Sequence, residues 1–383
     1  MKTVYFDSAA TTAIDAEVKE AMIAAMDSYG NPSSTHNIGR KSKIIIERVR
    51  KNIATELNCL PGELFFTSGG TEADNMAIHC AVRDLGVTRI ISSQIEHHAV
   101  GHTAEFLRDN KNVELVYLNV DEFGQVDLDQ LESLLKKDKR TLVSLMHANN
   151  ELGNIIDIER VGEMCRDNGA WFHSDTVQTV GHQKIDLEKI PVDFIACAAH
   201  KIHGPKGSGF LYVRSSVKIH SMIMGGAQER SMRAGTENII GIAGLGKAVE
   251  LAYKNLQEDK AYILGLKKYA MKRIEKDFPF ISYNGLSNDL EKSLFTVLSL
   301  RLPKNDQTDL ILFSLDMKGI AVSGGSACNS GSSKGSHVIE AINKKNENLV
   351  SVRLSFSKYN TKEDLDYFFN SLAEILEPAM AKA

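Results

Sequence analysis

Between about Phe65 and Val213 short apolar runs, rich in β-branched residues, alternate with segments of helical periodicity. Residues 89–93, 113–118, 141–146, 170–173, 193–197 and 209–213 read as strands. Helical patterns lie between them, such as 158–168, which Gly169 stops. After the strand that runs into Asp175, one further βα unit is expected before the strand that leads to Lys201. This order implies an α/β fold with a mostly parallel sheet, whose ligands bind at the carboxyl ends of the strands.

Beyond about residue 255 the pattern changes. A long charged helical stretch, 259–276, gives way to Pro279. Strands are expected at 293–300 and 350–355, and a closing helix at 362–376. These elements predict a smaller α+β domain. The division expected is a large domain over residues 15–255 and a small one made of 1–14 and 256–383. The small domain includes a stretch rich in Gly and Ser, 323–336, which holds Cys328.

Composition narrows the function classes. A chain of 383 residues is too long for one small core. Its 43% hydrophobic and 25% charged residues are ordinary for a folded soluble protein. A net charge of −4 leaves no basic footprint for nucleic acid, and direct nucleic-acid binding is not expected. The basic run from Arg40 to Arg50 is interleaved with Ile44, Ile45, Ile46 and Val49, which marks a helix face. No apolar run approaches the roughly 18 residues that a membrane span needs, and the start of the chain lacks the apolar core of a signal peptide. Five widely spaced cysteines without a Cys-x-x-Cys point to free thiols in a reducing cytoplasm.

Several short motifs bear chemistry. Asp175 and Lys201 are each expected at the carboxyl end of a neighbouring strand. Such a pair suits pyridoxal phosphate (PLP): the amine forms a Schiff base and the carboxylate keeps the pyridine nitrogen protonated. Lys206 is a second candidate amine, but Gly204-Pro205-Lys206-Gly207 reads as an exposed turn. Lys201 ends an apolar run, where burial favours the Schiff base. Thr67-Ser68-Gly69-Gly70-Thr71 follows a strand and opens a helix, a place where backbone N–H groups take phosphate; a plain capped turn is the alternative. Gly241 to Lys247 mimics a nucleotide loop, yet it lies inside an apolar helical pattern and lacks the closing Ser or Thr. Glu96-His97-His98 and His200-x-x-His203 do not have metal-site spacing, and no metal is expected. Cys328 sits among small polar residues rather than in an apolar segment, which suits either a reacting thiol or an idle surface one. Arg353, alone in an alternating strand pattern, suits either a carboxylate clamp or a solvated position.

Taken in order along nearly the whole chain, these pieces resemble the cysteine desulfurases of the class V aminotransferase family, PLP enzymes of fold type I. The matching segments are Tyr5 to Thr12, Gly30-Asn31-Pro32-Ser33-Ser34, Thr67 to Glu72, Glu96-His97, Asn149 to Gly153, Asp175-x-x-Gln178, His200 to Gly207, Arg233 to Thr236, Gly325 to Cys328, and Arg353.

The resemblance implies the following roles. Lys201 carries the coenzyme, Asp175 pairs with the ring nitrogen, Gln178 bonds the ring hydroxyl, and His97 stacks on the ring and moves protons. Gly70, Thr71 and His200 hold the phosphate, with Thr236 supplied by the partner subunit of a homodimer. Asn150 and Arg353 hold the substrate carboxylate. Cys328 takes sulfur from L-cysteine as a persulfide, for an acceptor protein such as an iron–sulfur scaffold or for tRNA thiolation. Ala198 departs from the pattern: relatives often place there a serine that bonds the phosphate. Two other readings remain at this point. One is a selenocysteine lyase or another class V aminotransferase; the other is a non-catalytic sulfur-carrier scaffold.

Overall fold

The computed structural model describes residues 2–324, 335–342 and 348–380. Cys328 lies outside them.

The alternating apolar runs become a seven-stranded sheet. Across it the strands run Leu64–Thr67, Gly209–Val213, Phe194–Ala198, Trp171–Asp175, Thr141–Ser144, Arg89–Ser93 and Glu114–Leu118. The pairings from Phe194–Ala198 to Glu114–Leu118 are parallel. Gly209–Val213 is antiparallel to both its neighbours, so the sheet is mostly, not wholly, parallel.

Central strands are buried on both faces, so period-two alternation sends their apolar residues to two separate clusters. Phe194 and Ala196 enter one hydrophobic cluster while Ile195 and Cys197 enter another on the opposite face. The helices Gly70–Leu85 and His98–Lys111 cover the first face with Met76, Ala77, Val100 and Leu107. Asn37–Leu57 and Ile239–Lys254 cover the second with Ile46, Ile53, Leu245 and Val249. The mimic at Gly241 to Lys247 is therefore helix interior. The basic run from Arg40 also lies on a helix, whose buried side includes Ile46, Val49 and Ile53.

Two expectations need correction. No helix joins Asp175 to Phe194: the described connection is built of turns, among them Thr179 N–H and Val180 N–H to Thr176 O. The strand expected at 293–300 begins later, at Val297, and runs to Pro303. Residues ahead of it are committed elsewhere. Leu294 N–H bonds Gly153 O, and Ser293 Oγ accepts from buried Lys267 at 2.8 Å.

A separate hydrophobic cluster joins Val4 and Phe6 to residues between Ile263 and Leu376. Its sheet orders Leu349–Ser355, Val297–Pro303 and Ser282–Tyr283, all antiparallel. Helices Leu256–Asp277 and Lys362–Met380 contribute Leu266, Ala270, Phe368 and Phe369. The chain start is stitched into this part, with Val4–Tyr5 pairing in parallel with Ile320–Ala321. Among the described residues no helix is long and apolar enough to cross a membrane.

Candidate active site

Parallel register brings two strand ends to the same edge. Asp175 closes its strand opposite Ala196, and the neighbouring strand continues from Ala198 into a short 3-10 turn, Ala199–Lys201, that presents the lysine. Asp175 is buried and accepts the Val177 N–H at 2.9 Å. Burial pushes its carboxyl above the ordinary range, against the pull of His97, the Val177 N–H and Lys201.

The first dozen residues form the other wall. Lys201 Nζ donates to Ala9 O at 2.6 Å and Ala10 O at 2.9 Å. Gln178 Nε2 donates to the same Ala9 carbonyl at 3.1 Å. Thr12 Oγ1 donates to His200 O and accepts from His203 N–H, which fixes the backbone on both sides of the lysine. His200 Nδ1 lies 3.2 Å from Thr11 Oγ1. Burial, followed by the Lys201 and Lys206 charges, lowers this imidazole to about 4, so it is neutral near pH 7.

The glycine pair that opens helix Gly70–Leu85 has two separate reasons to be glycine. Gly69 adopts φ +153°, and a Cβ on Gly70 would meet Val177 Cγ2 at 2.6 Å. The result is a bare helix start against the carboxyl edge of the sheet. Ala198 faces the same cavity without a hydroxyl.

His97 caps helix His98–Lys111: its Nδ1 accepts the Ala99 N–H at 3.1 Å. With Nδ1 an acceptor, the proton of the neutral ring sits on Nε2. Burial lowers its pKa more than Asp175 raises it.

Arg353 is 2% exposed and donates to Asn150 O and Asp7 Oδ1, both at 2.7 Å, while its Nε has no hydrogen-bond partner among the described residues. Beside it Glu151 accepts from Ser336 Oγ at 2.5 Å, and burial raises its carboxyl.

These groups line one cavity of about 250 Å³. It brings together Lys201, Asp175, Gln178, His97 and His200, along with Gly70, Thr71, Asn150 and Arg353. Thr236 is exposed and is not on its wall. Lys206 lines an adjoining open pocket with Gly69, Gly70, Thr71 and His200. Lys201 also borders a second, smaller space of about 40 Å³ that reaches Thr12, His203 and Phe356. The four described cysteines are outside the cavity, with their thiols pushed up by burial, Cys59 to about 12 and Cys80 to about 11.

Sequence reasoning gave no role to Ala9, Ala10, Asp74, Glu151 and His337, which line the same cavity. Asp74 carried a signal: it stands on the apolar side of its helix, beside buried Ala73, Ala77 and Ile78. The roles of the Ala9 and Ala10 carbonyls carry none, because a backbone acceptor leaves no trace in side-chain identity.

The profile of the class-V aminotransferases matches residues 4–368. This chain belongs to the class-V aminotransferase family, among its cysteine desulfurases. A protein of Dictyoglomus turgidum named cysteine desulfurase IscS is 41% identical to it, over 98% of this chain and 95% of that one. One of Methanosarcina thermophila with the same name is 42% identical, over 98% of this chain and 92% of its own length. A solved NifS-like protein superposes with a TM-score of 0.90 at 35% identity, covering 98% of this chain and all of that one. A structure described as SspA in complex with cysteine superposes with a TM-score of 0.82 at 30% identity, covering 94% of this chain and all of that one. The desulfurase is thus favoured over the other class V activities and over a non-catalytic scaffold.

Proposed function

We propose that this cysteine desulfurase holds PLP in the 250 Å³ cavity and removes sulfur from L-cysteine, leaving alanine and a persulfide on Cys328. One observation carries the reading: an amine, a buried carboxylate and a glycine-opened helix start converge on a single cavity. That donor set fits the coenzyme. Lys201 supplies the amine for its aldehyde, Asp175 the anion for its ring nitrogen, and Gln178 an amide for its hydroxyl. The N–H groups at Gly70 and Thr71, together with His200, suit its phosphate. Bound PLP serves as an electron sink for the substrate α-carbon.

The chain's own groups do the rest. Lys201 Nζ takes the substrate α-proton and returns it. His97 on the cavity wall, with its proton on Nε2, would help hold the ring and would serve as a second proton carrier. Arg353 holds the substrate carboxylate from a buried, anchored position, with Asn150 beside it. The Cys328 thiolate attacks the substrate sulfur. An S–S bond forms, the C–S bond breaks with its electron pair left on the substrate, and protonation of that carbon gives alanine. The related structure that contains cysteine supports the choice of substrate.

Further parts of the reading rest on placement. Exposed Thr236 serves the cavity of a partner subunit in a homodimer. The clusters on the two faces of the large sheet, and the separate one that joins Val4 to Leu376, support a large domain, 15–255, and a small one of 1–14 with 256–383. The persulfide goes to an acceptor protein, such as an iron–sulfur scaffold, or to tRNA thiolation, in the cytoplasm.

Incubation with L-cysteine and PLP, with alanine and sulfide measured with and without reductant, tests the reading. Cys328→Ser is expected to keep the coenzyme absorbance and to lose persulfide formation. Full desulfuration by that variant would remove Cys328 as the acceptor.

A further inference from the structure

Helix Gly70–Leu85 turns one acid inward. Asp74 lies one turn beyond Gly70, is 1% exposed, and reaches the wall of the cavity. Its Oδ1 stands 3.3 Å from Nε2 of His173, whose ring is fully buried two residues ahead of Asp175. The approach is poorly aligned, and neither atom has a hydrogen bond to any other described group. The second ring nitrogen, Nδ1, is 2.8 Å from Ser144 Oγ.

The charges near Asp74 are both carboxylates. After burial itself, Asp175 and then Glu96 raise the Asp74 carboxyl well above its ordinary range. Asp175 in turn feels His97 and Lys201. Burial lowers His173 to about 3, so its ring is neutral and keeps a single proton. Place that proton on Nδ1, toward Ser144, and Nε2 offers Asp74 a lone pair. The chain then closes without an unpaired charge: Asp74 O–H to His173 Nε2, and His173 Nδ1–H to Ser144 Oγ.

The arrangement matters because acids that crowd one buried site cannot all ionise. Asp175 has to be the charged one if it is to hold a proton on the ring nitrogen. We infer that Asp74 is a positioning residue of the coenzyme site: it directs its proton to His173 rather than to Asp175, and so leaves Asp175 as the anion that faces the ring. This role rests on the PLP reading above. It predicts what happens without the imidazole. The Asp74 proton is then left among the carboxyls that act on it, Asp175 and Glu96, and once Asp175 shares it the ring nitrogen loses its counter-charge.

Three variants test this: Asp74→Asn, which imitates a neutral acid; His173→Leu; and the two combined. Each is first checked for a cooperative thermal melt as apoprotein. In the apoprotein, carbon-13 NMR of labelled aspartate side chains is expected to show a carboxyl that stays protonated from about pH 5 to 8 and is missing in Asp74→Asn. In the loaded enzyme, Asp74→Asn should leave the pH midpoint of the coenzyme absorbance within about 0.3 unit of the parent. His173→Leu should shift that midpoint by about one unit or more and weaken PLP binding about tenfold. The double variant should recover most of both changes, since asparagine has no acidic proton to share. Loss of packing alone would not be rescued in this way. The role is overturned if Asp74 titrates as an ordinary carboxylate, if Asp74→Asn shifts the midpoint as His173→Leu does, or if a folded double variant stays shifted. A parent chain that takes up no PLP at all overturns the coenzyme reading and this role together, whereas PLP uptake with an ionised Asp74 overturns the role alone.

Discussion

Lys201 is moored to Ala9, 192 positions earlier in the chain, through a 2.6 Å bond from its amine to the Ala9 carbonyl. Gln178 shares that carbonyl. The N-terminal segment therefore orients the amine before any ligand arrives, and the proposed chemistry requires that amine. Lys201→Ala is expected to lose the visible absorbance of bound PLP and to lower alanine formation at least about a hundredfold. Near-parental turnover in a spectrophotometric and alanine assay would move the coenzyme to another side chain.

Ala198 gives the clearest gain-of-binding test. It is buried at the cavity wall, and its Cβ lies 3.9 Å from where a Cβ on Gly70 would stand. A hydroxyl added there comes close to the helix start proposed for the phosphate. One hydrogen bond to a charged group contributes about 1.5–3 kcal/mol. Ala198→Ser is expected to tighten PLP binding about tenfold or more, measured by fluorescence titration of the apoprotein. An unchanged dissociation constant would place the phosphate elsewhere.

Arg353 holds two acceptors at once, Asn150 O and Asp7 Oδ1. Lysine keeps the charge but not the planar fork. Arg353→Lys is expected to raise KM for L-cysteine about tenfold while the absorbance of the bound coenzyme persists. Unaltered KM with lowered kcat would instead make this arginine a brace for the wall.

Glu96 predicts a pH dependence of stability. Its Oε1 accepts the Met146 N–H at 2.9 Å and the Ser93 hydroxyl at 3.2 Å, while Oε2 is buried without a hydrogen-bond partner among the described residues. Burial above all, helped by Asp175, pushes the carboxyl up to about 8. The unfolded chain releases this proton near pH 4.3, whereas the folded chain keeps it. The stability contributed is therefore full below about pH 4.3 and is lost as pH rises toward about 8. The Tm of the apoprotein should fall less steeply over that window in Glu96→Gln than in the parent. Equal slopes by calorimetry would show Glu96 already ionised in the folded chain.

Much of the site was legible because its residues sit where patterns break. Asp175 ends a strand, Lys201 ends an apolar run, and Gly69-Gly70 interrupts the passage from strand to helix. The connection between Asp175 and Phe194 was misread, since a mixed stretch of that length suits a helix as well as the turns observed, in which Val180, Ile185, Leu187 and Val192 are buried. The late start of the strand at Val297 was hidden for a different reason. Ser293 and Leu294 have strand-like composition, yet their bonds go to Lys267 and Gly153, partners distant in the chain. Arg353 could not be told from a solvated strand residue, because its burial depends on the loop of Asn150 and the segment of Asp7.

The pairing of Val4–Tyr5 with Ile320–Ala321 has a consequence for biosynthesis. The ribosome delivers the two halves of that pairing more than three hundred residues apart. Ala9 can meet Lys201 once residue 201 has been made, but the strand just ahead of it has no partner until Ile320–Ala321 follows. Contacts of such separation in sequence form slowly, and chains released before position 321 have nothing to dock against. Closure of this part of the fold is therefore expected late in synthesis, and a chain cut short of position 321 leaves the Val4–Tyr5 strand without its partner.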